Sequence, residues 1–529
     1  MAEIEQKKRD IVGFLVAKGM LVNATFLEKL KNEILVDHLY SQLSNNPDPE
    51  QLINCDLIDL QTNSSSQIGQ TDQITQTVQE TQTEQTEQTE QTIPLTQTDE
   101  TEPKKQNVCT GRVKVLWEYQ TDYRKRKIQD FVNYFNARYK ILEKMLLQRP
   151  EMQNITSIAR LINKQDKETV SVVGMVTEKR TTKNDNILAK IEDNTGQINV
   201  VFSKNKPEMM AQAKDLVLDE VVGIVCSTGD NILFANALLF PDLPLQTELK
   251  KSPDEAYALV LSDMHVGSIW FEQERFERFL KWIRGEAGNE EQREVAKKVK
   301  YILLPGDVVD GVGIYPGMDK HLTITDIHKQ YEECYNLLKQ IPEHIWLIIS
   351  PGNHDVGRIA EPQPALAKEY TEPLWQMPNV IMTCNPTYIN LHASEDFPGF
   401  NFLVYHGYSY DYYSQEVDSI KNSGMHLSDR VALVMKFMLQ RRHLAPSHAT
   451  TLYIPDAKTD PLVIESVPDF FISGHVHKAA VTSYRGVSII CGSCWQSQTD
   501  FQDKVGHAAE PGKVPVINLK TRKIKLMTF

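Results

Sequence analysis

Five short apolar runs in the C-terminal half of the chain each stop abruptly in a polar turn. Residues 257–260 run into Ser262-Asp263-Met264-His265, residues 301–304 into Gly306-Asp307-Val308-Val309-Asp310, and residues 345–349 into Gly352-Asn353-His354-Asp355. Residues 402–405 run into His406-Gly407, and residues 470–472 into Gly474-His475-Val476-His477. Unbroken apolar runs of this length read as buried strands. Helical patterns over residues 271–284 and 327–341 separate the first three, which gives the strand-helix-strand rhythm of a parallel sheet. In an open α/β sheet ligands bind outside the carboxyl ends of the strands. Five strands that end in Asp, Asn or His therefore aim their side chains at one crevice.

The rest of the chain has different periodicities. Residues 1–50 alternate apolar and charged positions at helical spacing (Ile11, Phe14, Leu15; then Phe26, Leu27, Leu30, Ile34), with Asn23 placed as an N-cap, and read as a small helical module completed by a partner. From 61 to 107 the composition collapses to Gln, Thr, Ser and Glu. Almost nothing there can be buried to offset the entropy of ordering, so this stretch reads as a disordered tether. Residues 108–150 form a strand (Val113, Val115, Trp117) and a helix with the apolar stripe Phe131, Phe135, Leu142 and Leu146, ended by Pro150. Residues 155–247 hold short strands, a mid-strand Gly174 and the tight turn Asp193-Asn194-Thr195-Gly196, the pattern of a five-stranded OB-fold barrel. Phe202 and Phe234 are its only candidate stacking aromatics. Residues 253–529 then carry the five strand-end turns.

Charge changes this picture in one respect. A net charge of -13 argues against a general polyanion binder, since sequence-independent nucleic-acid affinity needs a basic surface. The tether carries eight acids against Lys104 and Lys105, so -6 of that charge lies outside the expected folded parts. The basic cluster Arg124 to Lys127 reads as a solvated face. Seven cysteines with one close pair, Cys491 and Cys494, give no disulfide framework and suit a reducing interior. The apolar stretch over residues 11–22 is interrupted by Lys18, and no run approaches the roughly 18 apolar residues of a membrane span. The expectation is a soluble, cytoplasmic protein.

Asp, Asn and neutral His suit hard-to-borderline divalent cations, and no thiolate is among the strand-end residues. A pair of such ions can clamp a phosphodiester and activate water. His321, His328, His344, His392, His426, His443, His448 and His507 lack the strand-end context and are not expected to be ligands.

The blocks Asp263-Met264-His265, Gly306-Asp307 to Asp310, Gly352-Asn353-His354-Asp355, His406 and Gly474-His475-Val476-His477 resemble the calcineurin-like metallophosphoesterase family. The order of helical module, tether, barrel and phosphoesterase resembles the small subunits of archaeal family D DNA polymerases. The resemblance implies a multidomain chain: an α-helical N-terminal module, an OB-fold β-barrel and an α/β metallophosphoesterase domain. It implies two divalent metal ions, Mn²⁺ or Mg²⁺ first, with Fe or Zn as alternatives. One would be held by Asp263, His265 and His477, the other by Asn353, His406 and His475, with Asp307 bridging. His354 would act on the scissile phosphate or the leaving oxygen, oriented by Asp310.

The activity implied is 3′→5′ exonucleolytic proofreading within a heteromeric replicative polymerase. The partners would be the large catalytic subunit and a single-stranded or frayed DNA 3′ end. A stand-alone recombination-repair nuclease and a non-catalytic polymerase scaffold are the alternatives. Brief protease treatment is expected to cut between about residues 61 and 107 and to leave a stable C-terminal fragment, read by mass spectrometry; resistance of that stretch would refute the tether.

Overall fold

The computed structural model describes residues 112–119, 124–162, 167–245, 249–447, 450–455 and 458–529, together with Lys7. The helical module and the tether read from the sequence lie outside the described residues, Lys7 apart.

Strand β1 (Arg112–Trp117) precedes a 19-residue helix, Ile128–Leu146. Asp130 fixes the start of that helix. Its carboxylate accepts the Lys127 main-chain N–H at 2.7 Å and two guanidinium bonds from Arg124 at 2.7 and 2.9 Å, which places an acid at the positive end of the helix dipole. The buried face is Tyr134, Arg138, Tyr139, Leu142 and Leu146. Phe131, expected on the apolar stripe, is 37% exposed, because the inward face is set by Arg138, a cation that apolar periodicity cannot find.

Strands β2 (Thr169–Thr181), β3 (Ile187–Asp193), β4 (Gly196–Phe202), β5 (Val221–Thr228) and β6 (Ile232–Leu239) close into a barrel in the order β2-β3-β4-β6-β5. The turn between β3 and β4 is held by Asp193, whose Oδ1 accepts the main-chain N–H groups of Thr195 (2.7 Å) and Gly196 (3.0 Å). Phe202 is fully buried in the barrel core, so of the two candidate stacking aromatics only Phe234, 48% exposed, remains on the surface.

The C-terminal part contains two sheets rather than one open sheet. Strands β7 (Tyr257–Val260), β8 (Val299–Pro305), β9 (Trp346–Ser350) and β10 (Val380–Met382) run parallel, and β16 (Lys513–Asn518) and β17 (Ile524–Thr528) complete the first sheet as β10-β9-β8-β7-β16-β17. The second sheet comprises β11 (Thr387–Ala393), β12 (Phe400–Val404), β13 (Phe470–Ser473), β14 (Ala480–Tyr484) and β15 (Val487–Cys491), with β1 paired antiparallel to β11 at one edge. Alternate residues of each strand enter different cores. Ala258, Val260, Tyr301 and Leu303 meet Phe402, Val404, Phe470 and Ile472 between the sheets. Leu259, Ile302 and Leu304 face helices on one outside, whereas Leu403 and Phe471 face helices on the other. Both faces of every ligand-bearing strand are covered, which is why the strands read as unbroken apolar runs.

The helix Ile128–Leu146 joins this sandwich through a buried polar cluster. Asp460 accepts from Tyr134 Oη (2.6 Å), Arg138 Nε (2.6 Å) and the Leu462 main chain (3.0 Å), and its Oδ2 lies 2.8 Å from His443 Nε2. Nδ1 of His443 accepts the Ala445 N–H at 3.0 Å, so the neutral ring satisfies both nitrogens. Burial, with the Arg138 charge nearby, pushes this histidine down from 6.5 to about 4. A histidine depressed in the folded state contributes stability that is complete above its unfolded value and is lost as the pH falls through the folded one. In denaturant titrations the stability difference between wild type and His443→Gln is therefore expected to be constant above about pH 6.5 and to shrink between 6.5 and 4. A pH-independent difference would rule this out. Asp460→Ala, which leaves Arg138 buried without its partner, is expected to cost about 3–5 kcal/mol in the same titrations.

Candidate metal centre

The five polar turns converge at the carboxyl ends of β7, β8, β9, β12 and β13. The reversal is sharp: Asp263, His265, Asp307, His475 and His477 all adopt positive φ (52°, 51°, 51°, 74° and 56°). Non-glycine residues avoid this region, at a cost of order 1–3 kcal/mol each, and occupy it only where the surroundings over-determine them. Close packing of the turns is part of that. A Cβ on Gly352 would overlap Asp307 Oδ1, and one on Gly474 would overlap Ser262 Oγ.

Three overlapping groups of donors result, one of which, His265, Asp307 and His354, shares its first two members with the other two. Asp263, His265 and His477 place one donor atom each within 4.8 Å of one another. Within this group His265 Nε2 lies 3.0 Å from His477 Nε2, which is 3.5 Å from Asp263 Oδ1. Asp307, His406 and His475 form the second group under the same limit. There His406 Nε2 lies 3.3 Å from Asp307 Oδ2 and 2.9 Å from Asn353 Oδ1. Asp307 Oδ2 is also 3.8 Å from His265 Nε2, so this carboxylate stands between the groups. All seven residues expected as ligands are thus brought together.

The rings are aimed by their other nitrogens. His406 Nδ1 is bound to the Pro305 carbonyl (2.8 Å) and His265 Nδ1 to Asp310 Oδ1 (2.8 Å), which leaves both Nε2 atoms facing the centre. His477 Nδ1 meets the Gln502 carboxamide nitrogen at 2.7 Å. In that orientation the amide donates and His477 keeps its proton on Nε2; a cation at Nε2 requires the amide turned over, so that its oxygen accepts from Nδ1.

Asp310 holds His354, as expected, and a second ring besides. Its carboxylate holds His265 and accepts from Gln496 Nε2 (3.0 Å), whereas His354 Nδ1 is held at 2.7 Å by the Asp310 main-chain carbonyl, with the carboxylate 3.9 Å away. The His354 side chain is 21% exposed, against 2% for His265 and 0% for His406. Its main-chain N–H donates to Asp307 Oδ1 at 2.8 Å.

Gln496, Gln502 and Asp355 had no assigned role in the sequence. Asp355 accepts the Gly352 N–H at 2.8 Å and the Tyr331 hydroxyl at 3.2 Å, and so closes the turn that carries Asn353 and His354. The two glutamines follow β15 and carry no strand-end pattern. His321 and His507, set aside as ligands, line the cavity beside the centre, and Cys491 and Cys494 are buried thiols.

Burial acts on every group of the centre, but at Asp307 and His406 the neighbouring charges together outweigh it. It works to raise Asp307, yet His406 and His354 hold that carboxyl well below its usual range. It works to lower His406, yet the Asp307 charge carries the ring up to about 9. His475 is pushed down to about 4 by burial and by His406, and Asp355 up to about 6 by burial and the Asp307 charge. Two carboxylates, an amide oxygen and imidazoles without thiolate form a donor set suited to hard-to-borderline divalent cations, so the residues present fit a metal pair. The centre opens into a cavity of about 650 Å³.

Comparison with known proteins agrees with this geometry. Residues 257–479 match the calcineurin-like phosphoesterase family, and residues 170–229 match the OB-fold nucleic acid binding domain. The chain is 38% identical over 402 residues to the DNA polymerase II small subunit of Methanothermobacter thermautotrophicus, which spans 76% of this chain and 80% of that one. It is 38% identical over 407 residues to the Pyrococcus furiosus protein of the same name, covering 76% of this chain but only 64% of the relative. The Archaeoglobus fulgidus protein is 37% identical over 403 residues, 76% and 78% of the two chains. With its OB-fold barrel ahead of a calcineurin-like phosphoesterase unit, and at 38% identity over 80% of a relative's length, the chain belongs to the DNA polymerase II small subunit family.

Proposed function

We propose that this subunit is a 3′→5′ exonuclease that removes misincorporated nucleotides for a large catalytic subunit, which it also scaffolds. The observation that carries the reading is the seven-residue donor set at the floor of an open cavity, with the half-buried imidazole of His354 also lining that cavity beside it. An inert scaffold has no use for five ligand candidates held at positive φ. The relatives' name, small subunit, supports a large partner, and the barrel supports nucleic acid as substrate.

Asp263, His265 and His477 would hold one divalent ion and Asn353, His406 and His475 the other, with Asp307 shared. When bound, the pair supplies Lewis acidity toward a phosphodiester and lowers the pKa of a water. The protein's part is orientation and proton handling. Asp310 and the Pro305 carbonyl fix two rings so that their Nε2 atoms face the centre. Asp263 and Asp307 supply negative charge where the cations sit. His354, tethered through Nδ1, presents Nε2 to the cavity and carries a proton for the leaving 3′ oxygen. A mismatched terminus costs less to unpair than a matched one, and this difference would supply proofreading selectivity.

His354→Ala is expected to keep its metal, because the bond from residue 354 to Asp307 comes from the main chain, and to lose hydrolysis on the order of 10²–10⁴-fold. Asp307→Ala should lose both. Elemental analysis of the two proteins decides, and loss of metal from His354→Ala would contradict the assignment. An end-labelled oligonucleotide incubated with the protein and Mn²⁺ should shorten stepwise from its 3′ end, faster with a terminal mismatch, and stop on chelation. Shortening from the 5′ end, or no hydrolysis with the large subunit also present, would overturn the nuclease reading.

A further inference from the structure

The metal cavity is lined by polar groups and by aromatic rings. Among the described residues that line it there is no Lys or Arg, so a strand entering it finds no side-chain cation for its backbone beyond what the metal centre supplies. Asp411, Thr450 and His507 line it together with the rings of Tyr408 and Tyr412. The lining also includes Trp270, Tyr315 and His321, with Ile314, which is 39% exposed, next to Tyr315.

These three rings stand on two loops that leave the metal centre directly. One follows His265 and the other follows Asp310. The loops are stitched together by a Val266–Val309 bridge, by Ile269 N–H to the His321 carbonyl (3.0 Å) and by Thr323 N–H to the Gly267 carbonyl (2.8 Å). The Trp270 carbonyl is fixed by the Ser497 N–H at 2.9 Å. The rings also hold one another. Tyr315 Oη lies 3.0 Å from His321 Nδ1, and the His321 ring centroid is 4.8 Å from that of Trp270 and 5.8 Å from that of Tyr315. Gly311, Gly313 and Gly317, all at positive φ, let the second loop double back to place Tyr315. The product is a pre-ordered aromatic wall in a cavity on a hydrophilic chain, and an apolar surface kept exposed at a site signals a ligand surface.

We propose that this wall is a nucleobase-stacking subsite that holds a base at the 3′ end of a single strand while the adjoining phosphate lies at the metal centre. The proposal rests on the nuclease reading. Stacking suits the task because every base has a π face, so the wall grips any terminal nucleotide without reading sequence. It also supplies affinity that the cavity cannot draw from lysine or arginine.

The test uses the full chain loaded with Mn²⁺ and two end-labelled oligonucleotides, one unmodified and one whose last two nucleotides are abasic. Wild type should show a KM about tenfold or more higher on the abasic strand, with kcat little changed. Trp270→Ala should raise KM by a similar factor on the unmodified strand and add nothing on the abasic one, while Trp270→Phe, which keeps a stacking face, should restore most of the loss. Tyr315→Ala should behave like Trp270→Ala. Equal KM values for the two strands in wild type, or an equal penalty from Trp270→Ala on both, would show that the wall has only a structural role. Failure of wild type to cut either strand, with the large subunit also present, would instead bring down the nuclease reading, and this subsite with it.

Discussion

The centre depends on keeping two carboxylates ionised inside the protein. Asp263 and Asp307 are 0% and 2% exposed, and an ionised carboxylate taken out of water without compensation costs many kcal/mol. Main-chain N–H groups provide the first layer of compensation, from His475 to Asp263 at 3.0 and 3.1 Å and from His354 to Asp307 at 2.8 Å. Those donors reach the carboxylates only because the turns bend at positive φ and because glycine stands at 352 and 474. Imidazoles provide the second layer, and the lift of His406 to about 9 is the mirror image of the Asp307 charge. The site is therefore built around negative charge first, and its affinity for cations follows.

The same demand explains the architecture beneath it. Ligands from β7, β8 and β9 in one sheet must meet ligands from β12 and β13 in the other. Their spacing is set by the apolar layer between the sheets, where Phe402 stacks on Phe470 at 4.6 Å. Rigid strands ending at one level can hold donor atoms more tightly than loops could, which is what a centre of seven close donors needs.

Much of this was legible in the sequence, for identifiable reasons. A strand buried on both faces and ending in Asp or His leaves an unbroken apolar run and a polar stop, and all five were visible. The division into two sheets was not, since a buried strand has the same local pattern in either arrangement. Arg138 was missed because its inward turn is dictated by Asp460, 322 residues away. That Asp310 also holds His265 was not legible, because a carboxylate and a main-chain carbonyl on one residue can serve two rings. Gln496 and Gln502 reach the centre by tertiary folding alone. Phe202 and Phe234 differ by which face of the barrel they occupy, a question of strand register that short β-runs settle poorly.

The barrel is locked to the phosphoesterase unit by buried charge rather than by a flexible joint. Glu220, at the start of β5, pairs with Arg441 at 2.9 Å, with both side chains at 5% exposure or less, and the Arg441 guanidinium stacks 3.4 Å over Phe240. Burial raises Glu220 and lowers Arg441 against their mutual attraction, so the pair adds little net stability relative to an apolar contact. Its value lies in direction, because a misaligned barrel would leave each charge buried alone. Arg138 serves the same end, since it binds both Asp460 and the Asp219 carbonyl of the barrel. On the proposed nuclease reading, a strand that touched the barrel on its way to the cavity would follow a path of fixed length, with the barrel setting its approach and the proposed stacking subsite holding its end.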